Sequence, residues 1–584
     1  MRKTFALATL LLLAALAFSY CPTAVRQINV PAVVTGQEGG LLRVVVSVAP
    51  GNGSIYTEIS PIVGASTQQS QAKAVEQAFA SAGIKQSGCD VHFSFADMGQ
   101  SPAVDGPSAG VAMAVALKAA LQNATIRDDV AVTGAILDGG QVGPVGGIID
   151  KAQAASRMGM RVLVTPQHEI YENILLSKLE EQYSFVDVDA KTLEQAYNIA
   201  TSAPNASYSP NFELGNISIP EGLQSRQMNW DDERFAKVAS AINSALLQNI
   251  GFSSPALAKY KDHFEQLAAQ NEKIIGMGYG YTAANNAFLA QVDAAFLTTP
   301  PHEIDLQAQV DSAKKCVQQM PDVSITRENV EWVSGANARK NWALEKIGDI
   351  ENNTQEYDSQ ESQYLALREI YYAHSWCLAG TQMLIQAQDI GGTPINASAL
   401  APYAQEGVNG AAGLISKSLV QNPDALWHLG VANKSLQKGD YAGAIFDSAY
   451  VIGVQSASNV ENEAQDGEVE KEVQMLSAQN YSTLWARTYQ SQGVYTLAQD
   501  MEDGAPVSDS HNVLSLAQSM ENAFGGIGQK LANPPETYEV SLAKKPENSL
   551  LSDLFAVVIW GGLALLVAKV AFMAVKNRYK ILDS

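Results

Sequence analysis

A serine at the start of an apolar run and a lysine 43 positions further on, set among glycine and small apolar residues, are the residues of this 584-residue chain best placed for chemistry. Ser108 stands in Asp105-Gly106-Pro107-Ser108-Ala109-Gly110, where Pro107 suits the first turn of a helix. Free backbone N–H groups and the positive dipole end of such a turn can stabilise the oxyanion that forms when a serine attacks a carbonyl. The hydroxyl attacks only when a neighbouring base takes its proton. With seven histidines and none in a recognisable pairing with Ser108, no Ser-His-Asp triad is visible, and His92 on its strand-like run reads as packed or exposed.

Lysine can replace histidine if it is neutral, but at an ordinary pKa of about 10.4 only about one amine in 2,500 is neutral at pH 7. A drop of about three units corresponds to about 4 kcal/mol, which burial can supply. Gly146, Gly147, Ile148 and Ile149 before Lys151, and Ala152, Ala154 and Ala155 after it, let its helix approach a neighbour and deny the amine water. Asp150 falls on another part of the helix surface. Alone, Ser108 reads as a helix cap and Lys151 as a solvated lysine. Their pairing carries the chemistry.

A second block supports the pairing: Ala131-Val132-Thr133-Gly134-Ala135-Ile136, then Gly139 to Gly147, then Ile148-Ile149-Asp150-Lys151-Ala152. With the first block it resembles the proteolytic domain of Lon, the Ser/Lys peptidase family, over residues 26–199. The resemblance implies Ser108 as nucleophile and Lys151 as general base, Thr133 supporting the lysine, and Asp105 and Gly106 shaping the nucleophile turn. It departs at Ala135, where Lon-like proteins usually carry Glu, which puts the contacts around the dyad in question. The ATPase that Lon proteins couple to this domain has no counterpart here, because no Gly-x-x-x-x-Gly-Lys-Ser/Thr loop occurs.

The elements that must position these residues follow from pattern. Residues 41–48, 90–95, 130–137 and 161–164 read as strands, and 67–82, 107–122 and 148–158 as helices, giving an α+β domain. Residues 200–226, rich in Pro, Ser and Asn, read as a linker. From 227 to 531 the strands vanish, and helical periodicity broken near Pro300, Pro321, Gly391 and Pro423 predicts an all-helical bundle or short solenoid. Within it, Ala425–Gly430 and Gly439–Ile445 read as a helical hairpin resembling a tetratricopeptide unit, without convincing copies. Residues 532–553 read as a stalk.

The ends suggest a location. Residues 1–19 read as a signal peptide, and 554–575 form a mostly apolar run of 22 residues, about 33 Å as a helix, long enough to span a bilayer. The basic tail, 576–584, belongs on the cytoplasmic side, so the ectodomain lies outside. Eight Asn-x-Ser/Thr sequons fit such a surface. Cys316 and Cys377 could pair there, while Tyr20 argues against a lipidated Cys21.

Charge excludes another class: 60 acidic residues against 38 basic ones, net −22, disfavour nucleic acid as a partner. No cofactor is expected, and the cysteines and histidines lack zinc-ligand spacing. The expectation is an ATP-independent, membrane-anchored extracytoplasmic serine endopeptidase, resembling an archaeal type and acting on unfolded or flexible proteins and peptides. Self-association is left open. The alternatives are a non-catalytic surface scaffold with a Lon-like fold and a protein that processes only itself.

Overall fold

In the computed structural model, residues 21–531 are described, apart from 34–38, 59–61, 98–102, 105, 205, 210–218, 224–231, 252–253, 301–303, 354–356, 358, 464–466 and 528–530. The signal peptide, Asp105, the stalk, the apolar run 554–575 and the basic tail lie outside the described residues. Among the described residues no helix is long and apolar enough to cross a membrane.

Alternation builds the sheet. In strand β2 (Gly40–Pro50), Leu42, Val44, Val46 and Val48 are buried, whereas Arg43, Val45 and Ser47 between them are half-buried. Strand β1 (Ala24–Ala32) pairs with it antiparallel. The remaining strands of the sheet are β3 (Ile55–Thr57), β5 (Cys89–Asp97), β7 (Val130–Val132), β10 (Val162–Thr165) and β11 (Val186–Asp189), in the order β11-β10-β7-β1-β2-β5-β3. The run β1-β7-β10-β11 is parallel, and β2 joins β1 and β5 antiparallel. Two small pairs lie apart from it: β4 (Ile62–Val63) with β6 (Ala103–Val104), and β8 (Ala135–Ile136) with β9 (Val142–Gly143).

The predicted single strand over 130–137 is two. Thr133 and Gly134 interrupt it: their amides donate to Val164 O and Ser108 O, and Gly134 has φ +152°. Helices α1 (Ala65–Ala82), α2 (Gly110–Leu121), α3 (Ile148–Arg157), α4 (Ile170–Tyr183) and α5 (Leu193–Ala200) cover the sheet. All residues of α2 are buried, because the sheet lies on one side and α1 and α5 on the other. Val130, Val132, Val162 and Val164 join the core on the α2 side, while Ala131 and Leu163 join the one beneath α3, so helices cover both faces.

After β11 the described residues form helices, from Arg234–Asn249 to Ser508–Phe524, with no further named strand. The predicted breaks fall between helices, as where Gln360–Ile390 stops before Gly391 and Asn422 caps Pro423–Gln437. The predicted hairpin is Pro423–Gln437 followed by Tyr441–Glu463. The described part of the predicted linker touches both regions: Ala206 O accepts from Arg127, and Leu223 is buried in the helical core. The two regions also share a core, in which Ile148, Ile149 and Tyr171 pack with Tyr260, Phe264, Phe296 and Tyr364.

All four cysteines are paired. Cys316 bonds Cys377, joining helix Leu306–Gln318 to helix Gln360–Ile390, and Cys21 bonds Cys89 at the edge of β5. The second pairing was not anticipated from sequence.

Candidate active site

Ser108 occupies a single helical turn, Pro107–Ala109, that leads into α2. Three successive carbonyls of this turn are taken by other elements. Thr67 Oγ1 on α1 donates to Gly106 O (3.0 Å), and Ser70 Oγ donates to Pro107 O (3.1 Å). Thr133 Oγ1 (3.2 Å) and the Gly134 amide (2.9 Å) both donate to Ser108 O. Pinned at three points, the backbone under the serine cannot rotate without breaking these partly buried hydrogen bonds. Gly106 lies at φ +131°, where side chains are strained. At Gly110 an added Cβ would stand 2.5 Å from Ser70 Oγ and 3.0 Å from the Ile136 amide, so only glycine lets α2 start this close to α1 and β8.

Thr133 was assigned by resemblance to support the lysine. Its hydroxyl donates to the serine's turn and is buried at 0% exposure. Thr67 and Ser70 were missed. A trace of them exists in the sequence, since the Thr67-x-x-Ser70 spacing puts two hydroxyls on one face of the helix, the face that continues through Ala74 and Ala78.

Lys151 lies in the first turn of α3, 4% exposed. Its Nζ donates to Gly146 O (2.7 Å), and no hydrogen bond joins it to Ser108 among the described residues. Burial lowers its pKa from 10.5 to about 8, against a smaller opposing pull from Glu361. At that value about one amine in ten is neutral at pH 7.

Glu361 comes from the helical region, in the first turn of Gln360–Ile390. Its Oε2 accepts from the Ile149 amide (2.7 Å), while its own amide donates to Asp150 Oδ1 (3.2 Å). Each helix start is thus met by the other's carboxylate, a favourable pairing of negative groups with positive helix ends. Burial raises the Glu361 pKa to about 7. Gln153 and Gln360 also bond across this seam, as do Arg368 and Glu169. No short-range pattern marks Glu361, because its partner lies 212 residues away in the chain.

His92 stacks on Tyr56 (4.4 Å between ring centroids) and is exposed, far from a catalytic environment. A second buried cluster, His168 with Asp187 (3.4 Å) and Asp189 (3.9 Å), has donor atoms that could ligate a cation. Burial opposes charge on His168, yet the nearby carboxylates, Asp187 first, outweigh it and hold its pKa above the ordinary value; its Nε2 hydrogen-bonds Thr165 Oγ1 (2.9 Å).

The fold and the site define a helix-covered, largely parallel sheet with a buried lysine at one helix start and a pinned serine at another. Residues 26–190 match the family model of the Lon protease (S16) C-terminal proteolytic domain, and that segment is a Lon-type proteolytic domain. A Lon protease of Chloroflexus aurantiacus is 40% identical over 101 residues, 17% of this chain and 12% of that protein. Lon protease 2 of Bacillus subtilis is 33% identical over 159 residues, 25% of this chain and 28% of its own length. The archaeal Lon protease of Halobacterium salinarum is 28% identical over 169 residues, 28% and 24% of the two chains. The chain therefore spans less than a third of each of these relatives, and the family-model match ends at residue 190, before the helical region.

Proposed function

We propose that the chain is a serine endopeptidase in which Lys151 is the general base for Ser108. The buried amine, with its pKa near 8, carries this reading. Neutral Lys151 exchanges its Gly146 O contact for the serine hydroxyl and takes the proton as Oγ attacks the peptide carbonyl. The ammonium returns that proton to the leaving amine, which departs from an acyl-enzyme. Water, deprotonated by the same lysine, then releases a carboxylate product and restores the serine.

The fixed serine turn keeps the nucleophile's geometry constant through both steps. Two closed disulfides fit an oxidising compartment. Together with the apolar ends, they support an ectodomain outside the cytoplasm anchored by residues 554–575. The missing phosphate loop supports action without ATP on unfolded or flexible substrates.

The test is casein degradation without ATP by the full chain in detergent, with a fluorophosphonate label on Ser108. Turnover and labelling, both lost in Ser108→Ala and Lys151→Ala, are expected. A folded wild type that neither labels nor cuts would leave a scaffold. Labelling with cleavage confined to the chain itself would mark autoprocessing.

A further inference from the structure

The helical region holds a cavity of about 710 Å³ that includes no residue of the proteolytic domain. That volume suits a ligand of a few residues. One wall is aromatic: Trp376 lies stacked between Phe288 (6.1 Å) and Trp427 (6.5 Å), all three partly exposed.

At another part of its lining is Arg339, 5% exposed. Its guanidinium donates to Gly335 O and Tyr281 Oη, both at 3.1 Å, and faces the rings of Trp342, Phe446 and Trp485. No carboxylate among the described residues forms an ion pair with it. The two carboxylates that line the cavity are already engaged: Glu369 pairs with Lys346, and Asp424 accepts from Tyr450 and lies 3.7 Å from His428. Arginine keeps its charge in proteins, and a buried charge is costly without a counter-ion. Ring faces supply part of the compensation and leave N–H donors over.

We infer that this cavity binds the carboxylate end of a polypeptide, with Arg339 taking the terminal carboxylate and the Phe288–Trp376–Trp427 wall taking an apolar terminal side chain. Charge complementarity fixes the sign of the ligand. Aromatic walls fix the apolar part beside it. Burial pushes the Tyr450 and Tyr489 phenols up, so near Arg339 they stay neutral and add no negative charge that would compete with an anion. Asn285 and Gln492 also line the cavity, and no hydrogen bond engages either side chain among the described residues. They match a peptide backbone, whereas a fatty-acid tail would leave them unpaired. The peptidase reading supplies the source, since each cut creates a new carboxylate end, but binding itself requires no catalysis.

The test uses the full chain carrying Ser108→Ala, in detergent, and fluorescence anisotropy of a labelled peptide ending in phenylalanine. The free acid is expected to bind at least about tenfold more tightly than the same peptide with a C-terminal amide, as loss of a charged hydrogen-bonding partner implies. Arg339→Met should abolish this preference, and Arg339→Lys should keep part of it. The acid-against-amide comparison needs no cavity variant, so it stands even if Arg339→Met does not fold. Equal binding of acid and amide would overturn the proposal. So would competition by decanoate or inorganic phosphate as strong as that by unlabelled acid peptide, which would mark a lipid or small-anion site. Because the probe is read without turnover, acid-selective binding beside a wild type that cuts no substrate would refute the peptidase reading alone.

Discussion

The proteolytic and helical regions solve opposite problems. Around Ser108 the backbone is unusual and the side chains are small: Gly106, Gly134 and Gly147 take positive φ, and hydroxyls hold the carbonyls of the turn. Around Arg339 the backbone is plain helix and the side chains are large, with Trp342, Trp376, Trp427 and Tyr450 shaping a cavity. Bond-making needs a few atoms held to fractions of an ångström, which a constrained main chain provides. Binding needs area and a counter-charge, which aromatic and arginine side chains provide.

The sharpest break should come from the serine and lysine. Ser108→Ala or Lys151→Ala should reduce peptidase turnover by about 10³- to 10⁴-fold, the scale for losing one member of such a unit, with the fold retained by circular dichroism. A residue of comparable burial in the helical region should do the reverse. Trp485 is fully buried, and its Nε1 donates to Glu331 O (2.7 Å). Trp485→Ala should cost about 3–5 kcal/mol in urea unfolding. A loss below about 1 kcal/mol would show that the helical core tolerates cavities far better than its packing implies.

The disulfides allow a like-for-like comparison, since they close loops of similar length, 68 and 61 residues apart in sequence. Chain entropy predicts a loss of about 4 kcal/mol for either double serine variant. Calorimetry of Cys21→Ser/Cys89→Ser beside Cys316→Ser/Cys377→Ser would show whether the two regions unfold together, as their shared core implies, or separately.

Lys151 links stability to pH. Its folded pKa, about 8, lies below the unfolded value, so the burial penalty is fully present below pH 8 and fades as pH rises toward about 10.4. Lys151→Met should therefore stabilise the protein by about 2–3 kcal/mol at pH 7, and the difference from wild type should vanish above about pH 10.5. Parallel unfolding curves at all pH values would mean that the amine is solvated.

The smallest effect tests the seam. Turnover should rise with pH through about 8 as Lys151 becomes neutral. The Glu361 carboxylate holds that limb up, and Glu361→Gln, which keeps an oxygen for the Ile149 amide, should move it to lower pH by a fraction of a unit. A limb that stays in place would separate the helical region from the lysine's titration.

Local rules made much of the proteolytic region legible. The apolar run Leu41–Val48, bounded by Gly39-Gly40 and Pro50-Gly51, reads as a strand and the apolar run after Pro107 as a helix, and both form. The strand over 130–137 was misjudged because apolar pattern does not reveal that Thr133 and Gly134 turn their amides toward Val164 and Ser108. Strand β1, helices α4 and α5 and strand β11 went unread, β11 because Val186-Asp187-Val188-Asp189 buries aspartates that look like a solvated face.

By itself the sequence determined which atoms could react: a hydroxyl at a helix start, an amine among small residues and a charge balance hostile to nucleic acid. Composition and short spacing suffice for that, because they fix local conformation and chemical type. Only the tertiary structure decided that Glu361 would meet the lysine's helix, that Thr67 and Ser70 would hold the serine's turn, that Cys21 would find Cys89, and that Arg339 would stand in an aromatic cavity without an ion-paired carboxylate among the described residues. Those pairings join residues tens to hundreds of positions apart, and only packing, which no local pattern encodes, brings them within reach.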